Sequence, residues 1–549
     1  MRKRNLAAVP PVYAAARNKR RGVRLCGICL GLAMAASGCG ADGRQYSMTE
    51  EAGIQSVQDE QEAQDTGNVR DGQEAQDTGN ARDGQEAQDT GSAQDEQDKQ
   101  EETGTQNEEE AREQVLSEMT DEQKNWMGGL SREQQMEDFE SLCDGLRENY
   151  PYVRLAKRQA GADLDTLEED YRAKVEQCAN DDAFYYVLKD FIGEFSFTGH
   201  LDLWGRRYES ELAFWRAFVK ESGQGAQYEP YIDALDNPVS RNTYASMTKY
   251  YQEVGRLTEE KRAAESDGRG EKGKEAAEAV TTPRESTADA TTAGETAETT
   301  EAAGEPMYVN VETEILEPGK TAYVSINTFD YEQMETDRET LLSFYQEVRD
   351  YENLIIDITN NPGGSMQYFD ELVAAPLTKD TLTVPGYQLF KDGENNGTFL
   401  RVKEGIASGL YRPVSELPPM PELNREDAAD CDWFLREDYT VEPVGGGFDG
   451  KIWLLVSENN YSSSEYAAMF SKASGFATLV GRTTAGDGIG TAPVYLILPN
   501  SGLVVQYSPM YGVTADGTGS EACGTVPDVV SVEGESALET CLKAIGQEK

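Results

Sequence analysis

The chain has 549 residues but a single histidine, His200, and half as many basic as acidic side chains: Lys+Arg 50 against Asp+Glu 100, a formal net charge of −50. Charge of that sign excludes nucleic acid and an anionic membrane surface as electrostatic partners. Cysteine is sparse. Of the eight, Cys26, Cys29 and Cys39 lie near the N-terminus; Cys143, Cys178, Cys431, Cys523 and Cys541 show no metal-type spacing. No metal or cofactor signature is present, so none is expected. The spacing permits a Cys143–Cys178 bridge outside the cell without requiring one. Hydrophobic residues make up only 38% of the chain, so part of it is expected to be disordered.

Long apolar runs are missing too. The first 24 residues are rich in Lys and Arg and hold no acid, and Leu25 to Ala35 is too short an apolar stretch to span a bilayer as a helix. The order basic, apolar, then Ala36-Ser37-Gly38-Cys39 reads as an export signal. It resembles the lipobox of bacterial lipoproteins, with Ala36 where Leu is the commoner residue. That resemblance implies that Cys39 is lipidated, becomes the mature N-terminus and anchors an extracytoplasmic protein to the bacterial cell membrane.

Residues 39–118 almost lack large apolar side chains and carry a repeat: EAQDTGNVRDGQ from Glu62, EAQDTGNARDGQ from Glu74, EAQDTGSAQDEQ from Glu86. Such units have no face to stack on one another, so they read as a solvated acidic tether rather than a solenoid. From Met119 the pattern changes. Phe139, Leu142, Leu146 and Tyr150 recur at helical spacing, as do Phe184, Val187, Leu188, Phe191 and Ile192, and Tyr244 to Val254 continues it. A helical subdomain is expected over 119–255. Residues 256–304 have no apolar period and are expected to be a disordered insertion. Residues 305–549 alternate strands (Tyr323–Ile326, Asn353–Ile358, Ile452–Val456, Ala477–Val480, Val494–Leu498, Leu503–Tyr507) with helices (Arg338–Val348, Glu465–Lys472). That alternation predicts an α/β core with a largely parallel sheet. Residues 377–450, proline-rich and weakly periodic, are expected to form a long excursion near the site.

Tyr461-Ser-Ser-Ser-Glu465 falls where a buried strand turns into a helix. A serine there is exposed, and the N–H groups of the helix start can hold an oxyanion; yet Ser462-x-x-Glu465 is also an ordinary capping box. Asn361-Pro-Gly-Gly364 follows an apolar strand and can present N–H groups to an oxyanion or simply turn the chain. Serine chemistry at neutral pH needs a base, and His200 is the one histidine that could serve. A lone histidine is also often a hydrogen-bonded structural residue.

These pieces, with Val480-Gly-Arg-Thr-Thr-Ala-Gly486 and Glu521-Ala-Cys-Gly-Thr-Val-Pro-Asp528, resemble the tail-specific (C-terminal processing) serine peptidase family in order, over roughly residues 130–535. The resemblance implies a crotonase/ClpP-like β-α superhelical core with a helical N-terminal part. One branch of that family uses a Ser–Lys dyad, but Asp487 occupies the Lys position here, and no Lys lies between Lys472 and Lys543. The other branch, similar to the tricorn core protease, pairs Ser with His and a Glu in Glu-x-x-Gly-x-x-Pro-Asp; Glu521, Gly524, Pro527 and Asp528 match it. The chain departs at Gly199, where tricorn has an assisting Ser, and at Leu201, where many relatives have Thr. The implied roles are Ser462 as nucleophile, His200 as base and Glu521 as the group that orients the imidazole, directly or through an intermediary. Ser463 and one of Gly363 or Gly364 would hold the oxyanion. Ser463 and Ser464 are the internal rivals of Ser462, and the family's Ser-x-x-Glu register favours Ser462. The stretch between His200 and Tyr323 shows no PDZ-like pattern. Protein or peptide substrates are expected; a surface-displayed binding protein that keeps the fold without turnover is the other reading.

Overall fold

A computed structural model describes residues 109–222, 225–277 and 309–547, with side chains described outside 221–227 and 265–277. The export signal, Cys39 and the acidic repeats lie outside these residues. Two units divide the chain. The smaller one, 39–117 with 257–297, is described only as helical stretches at 109–117 and 257–277. The larger holds everything that follows except residues 257–277, the end of a helix that begins in it.

Its N-terminal part is helical: α1 Arg132–Asn149, α2 Val153–Gln159, α3 Leu164–Val175, α4 Asp181–Gly193, α5 Tyr208–Ser222, α6 Gly225–Leu235 and α7 Pro238–Ala277. Local chemistry starts them. At α1 the Ser131 hydroxyl accepts from Gln134 N–H while the Gln134 side chain caps Ser131, and Asn180 accepts from Ala183 N–H at α4. Phe139, Leu142 and Leu146 then fall on the buried stripe of α1. Helix α7 runs past the expected boundary at 255. Residues 256–277 are helical where disorder was expected, because Ala, Glu, Lys and Arg favour helix without an apolar stripe; residues 278–304 lie outside the described residues.

The C-terminal part is mixed α/β, as the alternation predicts. Its central sheet has the order β13-β9-β8-β4-β3-β2, from β2 Val311–Glu317, β3 Thr321–Ile326, β4 Asn353–Asp357, β8 Lys451–Val456, β9 Thr478–Gly481 and β13 Val529–Val530. All neighbours are parallel except β2 with β3. Strands β4 and β8 are apolar on both faces because both faces are covered. Leu354, Ile356, Leu454 and Val456 join a core with residues of α8 Met334–Glu347 and α9 Ser463–Ser474. Ile355, Trp453 and Leu455 point the other way, against Cys541 and Ile545 of α10 Ala537–Gln547. Truncating one of these fully buried leucines to Ala costs about 2–5 kcal/mol.

Residues 377–450 are more ordered than their sequence suggests. Strands β5 Leu382–Phe390 and β7 Trp433–Val441 pair antiparallel over nine positions, flanked by β6 Arg412–Pro413 and β12 Tyr511–Thr514. A third sheet has the order β1-β11-β10, from β1 Asp202–Leu203, β10 Val494–Ile497 and β11 Val504–Tyr507. It ties the helical part to the core. Cys143 and Cys178 are both free, so no bridge joins them; Cys178 instead donates to the Lys174 carbonyl within its own turn.

Candidate active site

Three adjacent parallel strands deliver one side of the site at their C-terminal ends, where open α/β sheets place their chemistry. Strand β4 leads to the Asn360–Gly364 turn, β8 to Ser462, and β9 to Thr484 and Asp487. The turn is fixed from within: Asn361 Oδ1 accepts from Gly363 N–H at 2.9 Å, and its Nδ2 donates to the Ile326 carbonyl at 3.1 Å. Gly363 has φ +123°, and a Cβ there would stand 3.2 Å from Ser462 Cβ and 3.4 Å from Ser463 N. The glycine turn thus lies directly against the serine run.

The three serines differ. Ser464 is structural, its hydroxyl donating to the Asn361 carbonyl at 2.8 Å and the Tyr461 carbonyl at 3.0 Å. Ser463 opens α9. Ser462 occupies the N-cap position at φ 60°, ψ −121°, yet its side chain makes no capping bond. The capping box is not formed, because Glu465 turns inward to Thr484 and Thr525. The hydroxyls of Ser462 and Ser463 are buried without a hydrogen-bond partner. Among the described residues no acceptor takes the N–H of Ser463 or of Gly364, whereas that of Gly363 is committed to Asn361.

The other side comes from the small sheet. Strand β1 pairs with β11 in the register Asp202↔Gln506, Leu203↔Val505. Two residues further along this register, His200 stands opposite Ser508, and Ser508 N–H donates to the Gly199 carbonyl at 2.6 Å. The His200 Nδ1 lies 2.7 Å from Asp487 Oδ2 and 3.0 Å from Ser508 Oγ. Its ring packs on Tyr461, the residue before Ser462, with centroids 4.8 Å apart, and Phe197 lies against both rings.

Glu521 sits behind this pair. Its Oε1 accepts from Gly199 N–H at 3.0 Å and its Oε2 from the Tyr461 hydroxyl at 3.0 Å; that hydroxyl accepts in turn from His200 N–H at 3.3 Å. Part of the residue reaches solvent, but the carboxyl is enclosed. Burial, aided by the negative charge of Asp487, holds it well above the usual carboxylate range. Glu521 therefore grips the backbone carrying His200 and the tyrosine beside Ser462, while the carboxylate on the imidazole is Asp487. The sequence reading did not assign Asp487, Ser508, Tyr152 or Tyr461 a role. Asp487 carried a signal, standing where the other branch has Lys.

Gly199 is also explained. A Cβ there would fall 2.5 Å from the Tyr152 ring, so no serine fits at that position. Of the six described non-glycine residues with positive φ, five (Ser196, Phe197, His200, Ser462 and Asp487) are in this cluster. Backbone held in that region costs about 1–3 kcal/mol per residue and gathers at functional sites. A cavity of about 650 Å³ opens elsewhere, between Arg147, Arg154, Lys391 and Asp430, with no residue of the serine run in its lining.

Two family models match the sequence of this chain, and several solved structures resemble it. The family model for peptidase family S41 matches residues 320–531, and that for the tricorn protease C1 domain matches residues 131–193. No curated protein matches significantly. Among solved structures, a candidate peptidase from Parabacteroides merdae shares 16% identity over 75% of this chain and 96% of its own, with TM-score 0.42. Mature CPAF complexed with lactacystin shares 15% over 76% and 97%, with TM-score 0.41. A lipoprotein from Streptococcus agalactiae shares 12% over 76% and 97%, with TM-score 0.36. The two sequence matches carry the assignment: the chain belongs to peptidase family S41 and is a serine-type peptidase acting on protein or peptide substrates.

Proposed function

We propose that the protein is a membrane-anchored, extracytoplasmic peptidase that cleaves through an acyl-enzyme on Ser462, with His200 as general base. The observation that carries this reading is the Ser462 hydroxyl: buried, uncapped at a helix start, on left-handed backbone, beside the tyrosine on which His200 packs. A merely structural serine in that position would cap its helix.

In the reaction, Ser462 Oγ attacks the scissile carbonyl as its proton passes to His200 Nε2. The C–N bond then breaks, the proton goes to the leaving amine, and water hydrolyses the ester by the same route. The free N–H groups of Ser463 and Gly364 are the oxyanion donors, with the start of α9 adding its dipole. Gly363, its own N–H occupied, shapes the turn. Glu521 acts through Gly199 and Tyr461, fixing the backbone from which the imidazole projects. Lipidation of Cys39 holds the enzyme at the outer face of the cell membrane, with the acidic repeats as spacer.

The test is a fluorophosphonate probe on the full chain, with the modified peptide mapped by mass spectrometry. Labelling at Ser462, lost in Ser462→Ala and in His200→Ala, is the expected result. Absence of labelling would favour the binding-protein reading; labelling that survives both substitutions would overturn the site. Cys39→Ser should release the protein from membranes, and unchanged retention would refute the lipid anchor.

A further inference from the structure

The two carboxylates of the site divide their work, and the division follows from the hydrogen bonds at one nitrogen. Ser508 Oγ donates to Asp487 Oδ2 at 2.9 Å, so its single proton is spent there and its lone pairs face Nδ1. The Asp487 carboxylate can only accept. Nδ1 therefore has two acceptors before it, at 2.7 and 3.0 Å, and must carry the ring proton. In the neutral imidazole that leaves Nε2 bare, the form a base needs.

The clamp is itself held. Asp487 is buried, the Tyr152 hydroxyl stands 3.0 Å from its Oδ1, and Gly488 N–H donates to Ser520 Oγ at 2.8 Å, pinning the next residue. The same hydroxyl lies 2.5 Å from the Met510 carbonyl and shares its one proton between the two acceptors. Glu521 makes its bonds to the backbone N–H of Gly199 and to the Tyr461 hydroxyl, and none to the imidazole ring. We infer that Asp487, braced by Ser508 and Tyr152, is the positioning residue that sets the tautomer and orientation of His200, a role the Glu521 carboxyl does not fill. The inference rests on His200 being the base of the proposed mechanism, and it adds a residue to that mechanism.

The chain's single histidine makes the test direct, since every imidazole nitrogen signal from ¹⁵N-histidine-labelled full-length protein belongs to His200. At neutral pH the proton should reside on Nδ1. Asp487→Asn, whose amide donates where the carboxylate accepted, should move it to Nε2. It should also lower kcat by about 10²–10⁴-fold with KM little changed, because Nε2 can no longer take the serine proton. Ser508→Ala should keep the Nδ1 tautomer with a loss of about 10-fold or less. Glu521→Gln, which preserves the acceptor for Gly199 N–H, should also leave the tautomer unchanged.

A wild-type proton on Nε2, or an Asp487→Asn protein with unaltered tautomer and kcat, overturns the inference while the Ser462 labelling result stands. If labelling does not depend on Ser462, the proposed mechanism falls instead. Should Asp487→Asn fail to fold, the wild-type tautomer and its response to Ser508→Ala still decide the matter.

Discussion

Replacing Glu465 by Gln should remove a defined part of the protein's pH-dependent stability. Glu465 is 1% exposed. Its carboxyl receives the Thr525 hydroxyl at 2.6 Å and meets that of Thr484. Burial pushes its pKa from 4.5 up to about 7 against the pull of those hydroxyls. The folded protein thus keeps a proton that the unfolded chain gives up. The stabilisation is fully present below about pH 4.5 and is lost as pH rises through about 7. Over about two and a half pH units, at ~1.4 kcal/mol per unit, the loss amounts to about 3 kcal/mol. Gln has the shape of the neutral acid: its carbonyl can accept from Thr525 and its amide can donate to Thr484 Oγ1. Glu211 and Glu437, also raised to about 7 by burial, titrate in both proteins and cancel in the difference. Urea unfolding of wild type and Glu465→Gln from pH 4.5 to 8 should show the difference in stability shifting toward Gln by about 3 kcal/mol. Curves that remain parallel across that range would refute the claim that this acid is held neutral.

Ser462→Gly should abolish turnover yet raise stability by about 1 kcal/mol, since glycine accepts φ 60° without strain; Ser462→Ala should abolish turnover without that gain. Thermal melts of the two distinguish backbone strain from loss of the hydroxyl. Gly364→Ala should cost about 2–4 kcal/mol, because φ is +135° and the new Cβ would fall 2.4 Å from the Phe329 carbonyl; Gly546→Ala, helical and facing open space, should gain about 0.5–1 kcal/mol by the same melts. Under native conditions an alkylating reagent should modify Cys523 and spare Cys143, Cys178, Cys431 and Cys541, as read by peptide mapping. The first is exposed and the rest are buried, with burial pushing the Cys431 thiol up to about 12.

The central sheet was legible because burial on two faces writes a continuous apolar run, as in Ile452 to Val456, and α1 and α4 because one buried stripe writes a helical period. The antiparallel sheet across 377–450 was not. Strand β7 carries Arg436 and Asp438 on an exposed face, β5 contains Pro385, and their register joins residues about 50 apart. The helical extension to Ala277 was missed for the opposite reason: an absent apolar period argues against packing, not against helix.

The site divides along the same line. Ser462 lies in a run at a strand-to-helix turn and Glu521 in a contiguous segment, so the family resemblance could single out both. Asp487 was visible only as the residue that replaces a Lys, because its partner His200 is 287 positions away. What joins the two is β1, a strand of two residues, too short to leave any periodicity. Yet its register decides the chemistry: Asp202 opposite Gln506 brings His200 opposite Ser508, and the loop carrying Asp487 closes on that pair. A motif can supply a carboxylate to a serine site. Which carboxylate touches the imidazole is a matter of register, and here the register selects Asp487 for the ring and leaves Glu521 to the backbone behind it.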